Sequence, residues 1–322
     1  DSSENYDLKI DDIKAKLNVD LNKLNTDTLK DKCKEIGLAG ISKLKKPELI
    51  QLLENEFYKN HNIIREKSKN ELKNLPLCLA GGVFGNVKVN AKLRDLKCVS
   101  GLFVQPQMGD GGLAVGAACG SMRKHGITPT PCETMALGPD GGCIDSLIDE
   151  KHSLGFNFEK LSDEKLQDAI VSQLMHNKVV GLVRGRMEFG PRALCNRSII
   201  FKTSDTSCND WLNKRMSRTE FMPFAPFLTT ENALKHIIPF NESDQSLWFM
   251  TATVNVSDEF KNQCPAVTHV DGTARPQIVS KARDPWLHSL LKKWEAASGE
   301  YALINTSFNR HEEPIVRTYN EA

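Results

Sequence analysis

Gly185-Arg186-Met187-Glu188-Phe189-Gly190-Pro191-Arg192-Ala193-Leu194-Cys195-Asn196-Arg197-Ser198 follows the apolar run Val179-Val180-Gly181-Leu182-Val183. The run is too short for a stable solitary helix and rich in β-branched residues, so it predicts a buried strand that delivers a loop. The loop and its approach carry Arg184, Arg186, Arg192 and Arg197 among glycines and a proline. Forked guanidinium donors on such a backbone suit a multiply charged anion, phosphate-like or carboxylate-like. A solvated basic loop has the same composition, and the stretch by itself leaves both readings open.

The 322 residues suffice for about two or three domains. A net charge of +1 gives the whole molecule no strong field, so local charge must carry any nucleic-acid argument. The nine cysteines are scattered without Cys-x-x-Cys spacing, which implies neither a disulfide framework nor a zinc ribbon. A reducing, cytoplasmic setting is expected. No apolar run has transmembrane length and no secretory h-region stands near the start, so no membrane partner is expected. The sequence opens on Asp1, as a longer precursor or an engineered boundary would leave it.

Residues 1–73 are rich in Lys, Asn, Asp, Glu and Leu at helical spacing and read as a small α-helical domain with its linker. Thr26 is placed to cap a helix from Asp27 to about Ile36, with Leu29, Cys33 and Ile36 on one face and Gly37 ending it. Pro47 begins a second helix with Leu49, Ile50, Leu52, Leu53 and Phe57 on its apolar face. This order of helix, basic loop and helix resembles the SAP domain and the small helical domain at the start of the transcription terminator Rho. The likeness implies that Ser42, Lys43, Lys45 and Lys46, within residues 26–57, hold a DNA or RNA phosphate at the second helix's N-terminus. A helical hairpin that packs on a neighbour, its lysines merely solvated, is the competing reading. Residues 59–73 read as a polar linker or helix.

Leu75 to Ala80 predicts a buried strand running into Gly81-Gly82-Val83-Phe84-Gly85-Asn86, where backbone amides could approach a phosphate or simply make a tight turn. Gly101 to Val104 predicts another strand, followed by the turn Gly109-Asp110-Gly111-Gly112 and a small-residue helix from Leu113 to about Met122 that could pack closely on a sheet. Asp110 is either the helix cap or a carboxylate available to a metal. Residues 124–155, rich in Pro, Gly and Asp, read as a connection between domains. A helix from about Asp163 to His176, with Leu166, Ile170 and Leu174 on one face, leads to the arginine loop. Beyond it, Trp211 to Glu220 adds basic positions able to close a pocket from a second side. Val267 to Val270 and Tyr301 to Ile304 predict strands whose ends offer Arg275 in one case and Asn305 to Asn309 in the other. Convergent polar strand ends are where ligands bind in α/β sheets, and together these loops favour a site for a small anion.

The ordered motifs "LAGGVFGNVKVN", "QPQMGDGGLAVGAA", "GRMEFGPRALCNRSI", "WLNKRMSRTEFMPFAP", "VTHVDGTARPQIVS" and "LINTSFNRHEEPIV" closely resemble the O-carbamoyltransferases of antibiotic and nodulation-factor biosynthesis, over residues 75–322. The resemblance implies an α/β architecture in which residues 156–322 form a YrdC-like domain and residues 74–155 the closing part of an actin/sugar-kinase-like transferase domain. It implies conversion of carbamoyl phosphate and ATP into carbamoyl adenylate, then transfer to a hydroxyl of a small-molecule acceptor. ATP and Mg²⁺ are the implied cofactors, with a transition metal such as iron at a complete transferase site. Matched to this sequence, Arg192, Arg197, Arg218 and Arg275 are the expected catalytic residues, and Asn305 and Ser307 bind substrate, with His269 and Asp271 bordering the site. Gly81, Gly82 and Asn86 match the nucleotide-binding strand end, and Asp110 the metal ligand.

Three departures stand out. The family's opening ATP-phosphate loop and histidine metal ligands have no counterpart, since none of the eight histidines forms a His-x-x-x-His pair. They are expected in an upstream segment or a separate polypeptide; the alternative is a catalytically incomplete relative whose first 73 residues bind nucleic acid. Asp110 alone is too few ligands for a tight metal site. Cys195 stands where the family usually has glycine, and would distort the loop if that position needs a positive φ.

Overall fold

A computed structural model describes residues 23–35, 39–53, 75–130, 133–145, 148, 155–218, 224–241 and 244–322, in two compact units, Asp1–Lys73 and Asn74–Ala322. The expected helix end at Ile36 and Gly37, Phe57, the polar stretch 59–73 and the positions from Thr219 to Pro223 lie outside the described residues.

In the first unit, helix α1 spans Thr26–Glu35 and α2 covers 46–53. The expected cap at Thr26 is one residue late, because Asn25 accepts the Thr28 amide at 2.8 Å and the Thr28 hydroxyl at 2.9 Å. Leu29, Cys33, Ile41, Leu49 and Leu53 form its small core. At the start of α2 the Lys45 amide donates to the Glu48 carboxylate at 2.6 Å. A donor that an incoming phosphate would use is therefore already taken by an internal anion.

The second unit is mixed α/β. Its strands are β1 (Leu75–Leu79), β2 (Val99–Val104), β3 (Val180–Val183), β4 (Arg197–Lys202), β5 (Ala225–Thr229), β6 (Ile237–Ile238), β7 (Val254–Val256), β8 (Thr273–Ala274), β9 (Gln277–Val279) and β10 (Ala302–Ser307). Five of them make one sheet in the order β3-β4-β10-β5-β9, with β5 and β9 parallel and the other neighbours antiparallel. Three form the antiparallel sheet β6-β7-β8, and β1 pairs with β2 in parallel. The helices are α3 (Val87–Arg94), α4 (Leu113–Lys124), α5 (Asp163–Met175), α6 (Cys208–Arg215), α7 (Thr230–His236), α8 (Asp258–Gln263) and α9 (Pro285–Ser298). Helix α9 has Pro285 in its first turn, Asp284 accepting the Leu287 amide at 2.9 Å, and left-handed Gly299 at its end. Its buried Leu287, Leu290, Leu291 and Trp294 recur at helical spacing and face β5 and β10. Each such burial contributes about 1.5–3 kcal/mol.

Four local expectations need correcting. Strand β1 is exposed rather than buried, with Leu75 at 43% of full exposure. Among the described residues it pairs with β2 alone, so an apolar sequence suited to a sheet interior occupies an edge. Helix α4 does not pack tightly on a sheet: none of its residues is buried. Leu166 faces solvent, and α5 buries Gln167, Ile170, Val171 and Leu174 instead. The strand expected over Val267 to Val270 is a 3-10 turn over Pro265–Val267 followed by a tight turn in which the His269 amide donates to the Thr273 carbonyl at 2.7 Å. Among the described residues no helix is long and apolar enough to cross a membrane.

Candidate functional site

Antiparallel pairing brings the end of β10 beside the starts of β4 and β5, as Ser307 pairs with Ser198 and Asn305 with Ala225. Because β9 runs parallel to β5, its start lies at the same end of the sheet. The arginine loop before β4, the stretch before β5, Arg275 before β9 and the close of β10 therefore converge. No two of these segments are adjacent in sequence.

Three of the four arginines around the loop are committed to structure. Arg184 pairs with Asp284, the cap of α9, and lies 5.1 Å from the ring centre of Trp286. Arg186 donates at 2.7 Å to both the Leu137 and Gly138 carbonyls. Arg197 is wholly buried, its guanidinium donating to the carbonyls of Arg184, Gly185, Asn196 and Arg317 at 2.8–3.2 Å. The expectation that Arg197 touches substrate meets a side chain whose donors are occupied.

Arg192 differs. Its Nε is sealed from solvent without a partner, and burial lowers its pKa. Arg275 likewise forms no hydrogen bond or ion pair with the described residues, and burial, with the nearby charge of Arg192, pushes it down to about 9. Two adjacent half-buried cations without a counter-ion among the described residues repel one another, and a bound anion would relieve that. Arg218 completes the basic wall, donating to the Thr306 hydroxyl at 3.0 Å, the Ser307 hydroxyl at 3.3 Å and Asn213 Oδ1 at 3.4 Å. Burial lowers its pKa too.

The remaining polar groups hold the frame. Asn305 Nδ2 donates to the Ala193 carbonyl at 2.8 Å and to Gln277 Oε1 at 2.7 Å, while Gln277 Nε2 donates to the Leu194 carbonyl at 3.2 Å. The Ser307 hydroxyl donates to Asn309 Oδ1 at 2.6 Å. Cys195 does adopt φ 73°, and the loop accommodates it: its amide donates to Ser198 Oγ at 3.0 Å and the buried thiol to Gln277 Oε1 at 3.5 Å. Burial pushes that thiol's pKa well up, so it stays protonated.

Residues 133–141 are more than a connection. Gly138 and Met187, Met187 and Pro139, and Phe189 and Met135 exchange backbone hydrogen bonds of 2.7–2.9 Å, so this segment forms an outer wall of the loop. The turn after β2 touches the loop as well: a Cβ on Gly190, where φ is 142°, would lie 3.3 Å from the Pro106 carbonyl oxygen. At Gly112 a Cβ would meet the Gln107 oxygen at 2.1 Å, which explains the glycine by close backbone approach.

The other expected site residues have local roles. Gly81 donates its amide to the Met108 carbonyl at 2.7 Å with φ 120°, Gly82 opens a 3-10 turn, and Asn86 caps α3 by accepting the Lys88 and Val89 amides. Asp110 caps nothing and is exposed, and among the described residues no group of three His, Cys, Asp or Glu could hold a metal. Among the described residues Asp110 therefore has no further ligands beside it for a resident metal. Asp271 pairs with Lys88 of α3 and accepts from the amide and hydroxyl of Thr273, and these contacts, Lys88 first, hold its carboxyl well below the usual range. His269 lies 3.0 Å from the Thr273 hydroxyl through Nδ1, and burial lowers its pKa. Sequence reasoning missed Glu188 and Gln277; a single carboxylate inside a loop of arginines was the available signal for the first.

Residues 171–322 match the family model described as Carbamoyltransferase C-terminus, and residues 15–119 match Carbamoyltransferase N-terminus. The nodulation protein NolO of Bradyrhizobium diazoefficiens is 34% identical over 250 residues, covering 76% of this chain and 45% of that protein. The nodulation protein NolNO of Sinorhizobium fredii is 35% identical over 250 residues, covering 76% and 36%. An uncharacterized protein of Methanocaldococcus jannaschii, MJ1058, is 32% identical over 277 residues, covering 84% and 44%. The chain thus spans less than half the length of each of these relatives.

Proposed function

This chain belongs to the carbamoyltransferase family, and we propose that the pocket of Arg192, Arg218 and Arg275 binds carbamoyl phosphate and activates its carbamoyl group for transfer to a hydroxyl of a small-molecule acceptor. The observation that carries this reading is the pair of half-buried guanidiniums, Arg192 and Arg275, with no ion pair to an anion among the described residues. A phosphate group offers the charge and the acceptor oxygens that both lack.

Activation proceeds with ATP: water hydrolyses carbamoyl phosphate to carbamate and inorganic phosphate, a carbamate oxygen then bonds to the α-phosphorus, and pyrophosphate leaves with the bonding electrons, yielding carbamoyl adenylate. Negative charge gathers on the phosphoryl oxygens as that bond forms. Fixed guanidinium groups stabilise such charge without reorganising. Arg218, held by Thr306 and Ser307, orients from the β10 side, and Arg197 keeps the loop in shape from beneath.

Incubating the chain with carbamoyl phosphate, ATP and Mg²⁺ is expected to release pyrophosphate. Release no faster than a protein-free blank would overturn autonomous activation.

A further inference from the structure

We infer that Glu188 is the positioning residue of the arginine loop, fixing where Arg192 sits and, through it, how tightly the pocket holds phosphate. The inference rests on the reading of Arg192 and Arg275 as an anion seat.

Glu188 lies on the outgoing limb of the loop and is 7% exposed. Its Oε1 accepts the amides of Leu194, Asn196 at 2.8 Å and Arg197 at 3.3 Å, all on the returning limb. Its Oε2 is sealed from solvent and has no partner. Neither oxygen meets a guanidinium, so the carboxylate is committed to backbone donors rather than to neutralising an arginine. Charge-assisted bonds of this kind are stronger than neutral ones, and three on a single oxygen close the segment 188–194 into a ring. Arg192 stands within that ring. The outgoing limb is pinned from outside by Met135, Gly138 and Pro139, and the returning limb by Asn305 and Gln277. Glu188 is the carboxylate that spans the two limbs; Asn196, whose Nδ2 donates to the Arg186 carbonyl at 2.7 Å, and Arg184 and Arg197 join them nearer the base of the loop. Arg275 and Arg218 sit on other segments, and among the described residues neither hydrogen-bonds to Glu188.

This separation makes the role testable by double-mutant cycles on the full chain, with inorganic phosphate as the titrated probe. Glu188→Gln should weaken phosphate about 10-fold, the scale at which supporting hydrogen bonds tune a site. In an Arg192→Ala background the further loss should fall below about 2-fold, whereas in an Arg218→Ala background the full loss should persist. Glu188→Asp keeps the charge but withdraws the oxygen by one methylene, so it should also weaken binding; it supplies the same cycle should Glu188→Gln fail to fold.

An undiminished effect in the Arg192→Ala background, tighter binding by Glu188→Gln, or wild-type affinity in Glu188→Asp would each overturn the role. Absence of phosphate binding by the unsubstituted chain would instead remove the anion seat itself, and with it this inference.

Discussion

Replacing Arg275 with methionine is expected to slow pyrophosphate release by at least about 100-fold while making the protein more stable, a combination that few core substitutions produce. The loss follows from removing one of two donors that face the developing phosphoryl charge. The gain follows from removing a half-buried cation that has no partner among the described residues and is pushed down to about 9 by burial and by Arg192. Exchanging buried charge for a well-packed apolar side chain is often worth about 1–4 kcal/mol, and the lower part of that range is expected here. The pH dependence has a definite sign. Below about pH 9 both folded and unfolded chains carry the Arg275 charge, so the folded state bears the full penalty. Above it the folded protein releases that proton before the unfolded chain does, and stability rises with pH wherever the unfolded state binds more protons. The advantage of Arg275→Met over the unsubstituted chain, read from urea midpoints, should therefore shrink from about pH 9 upward. A less stable variant with unchanged activity would contradict both halves.

Arg197→Ala is expected to do the reverse. It strips the hydrogen bonds from the carbonyls of Arg184, Gly185, Asn196 and Arg317 at a position with no solvent exposure. Buried groups left without partners cost about 1–3 kcal/mol each, and partial rearrangement brings the expected total to about 3–5 kcal/mol. Arg197→Lys should recover little, because a single ammonium cannot reproduce the fork that spans these carbonyls. A urea midpoint close to that of the unsubstituted chain, together with lost phosphate binding, would instead make Arg197 a ligand-contacting residue.

These contrasting outcomes mark how far the residues could be read without coordinates. The strand Val180–Val183, helix α5, helix α4 and the strand Ala302–Ser307 were legible from apolar period, length and turn residues. The four arginines were legible as a group, but their division of labour was not. Which guanidinium finds a carbonyl and which is left alone depends on strand pairing: Val183 opposite Arg197 places that side chain beneath the loop, while Arg192 rides at its turn. The exposure of β1 and α4 was unreadable for a similar reason, since apolar composition reports what a segment can bury and not whether a neighbour covers it. Cys195 shows the opposite limit. The positive φ was anticipated as a cause of distortion, yet the Ser198 hydroxyl and Gln277 amide hold the loop in that conformation.

The most direct measurement is calorimetric titration of carbamoyl phosphate into the unsubstituted chain and into Arg275→Met. The unsubstituted chain should bind one equivalent, more weakly as salt rises, and Arg275→Met should give no saturable heat. Equal binding by both proteins, or none by the unsubstituted chain, would contradict the assignment of Arg192 and Arg275 as the seat of the carbamoyl donor.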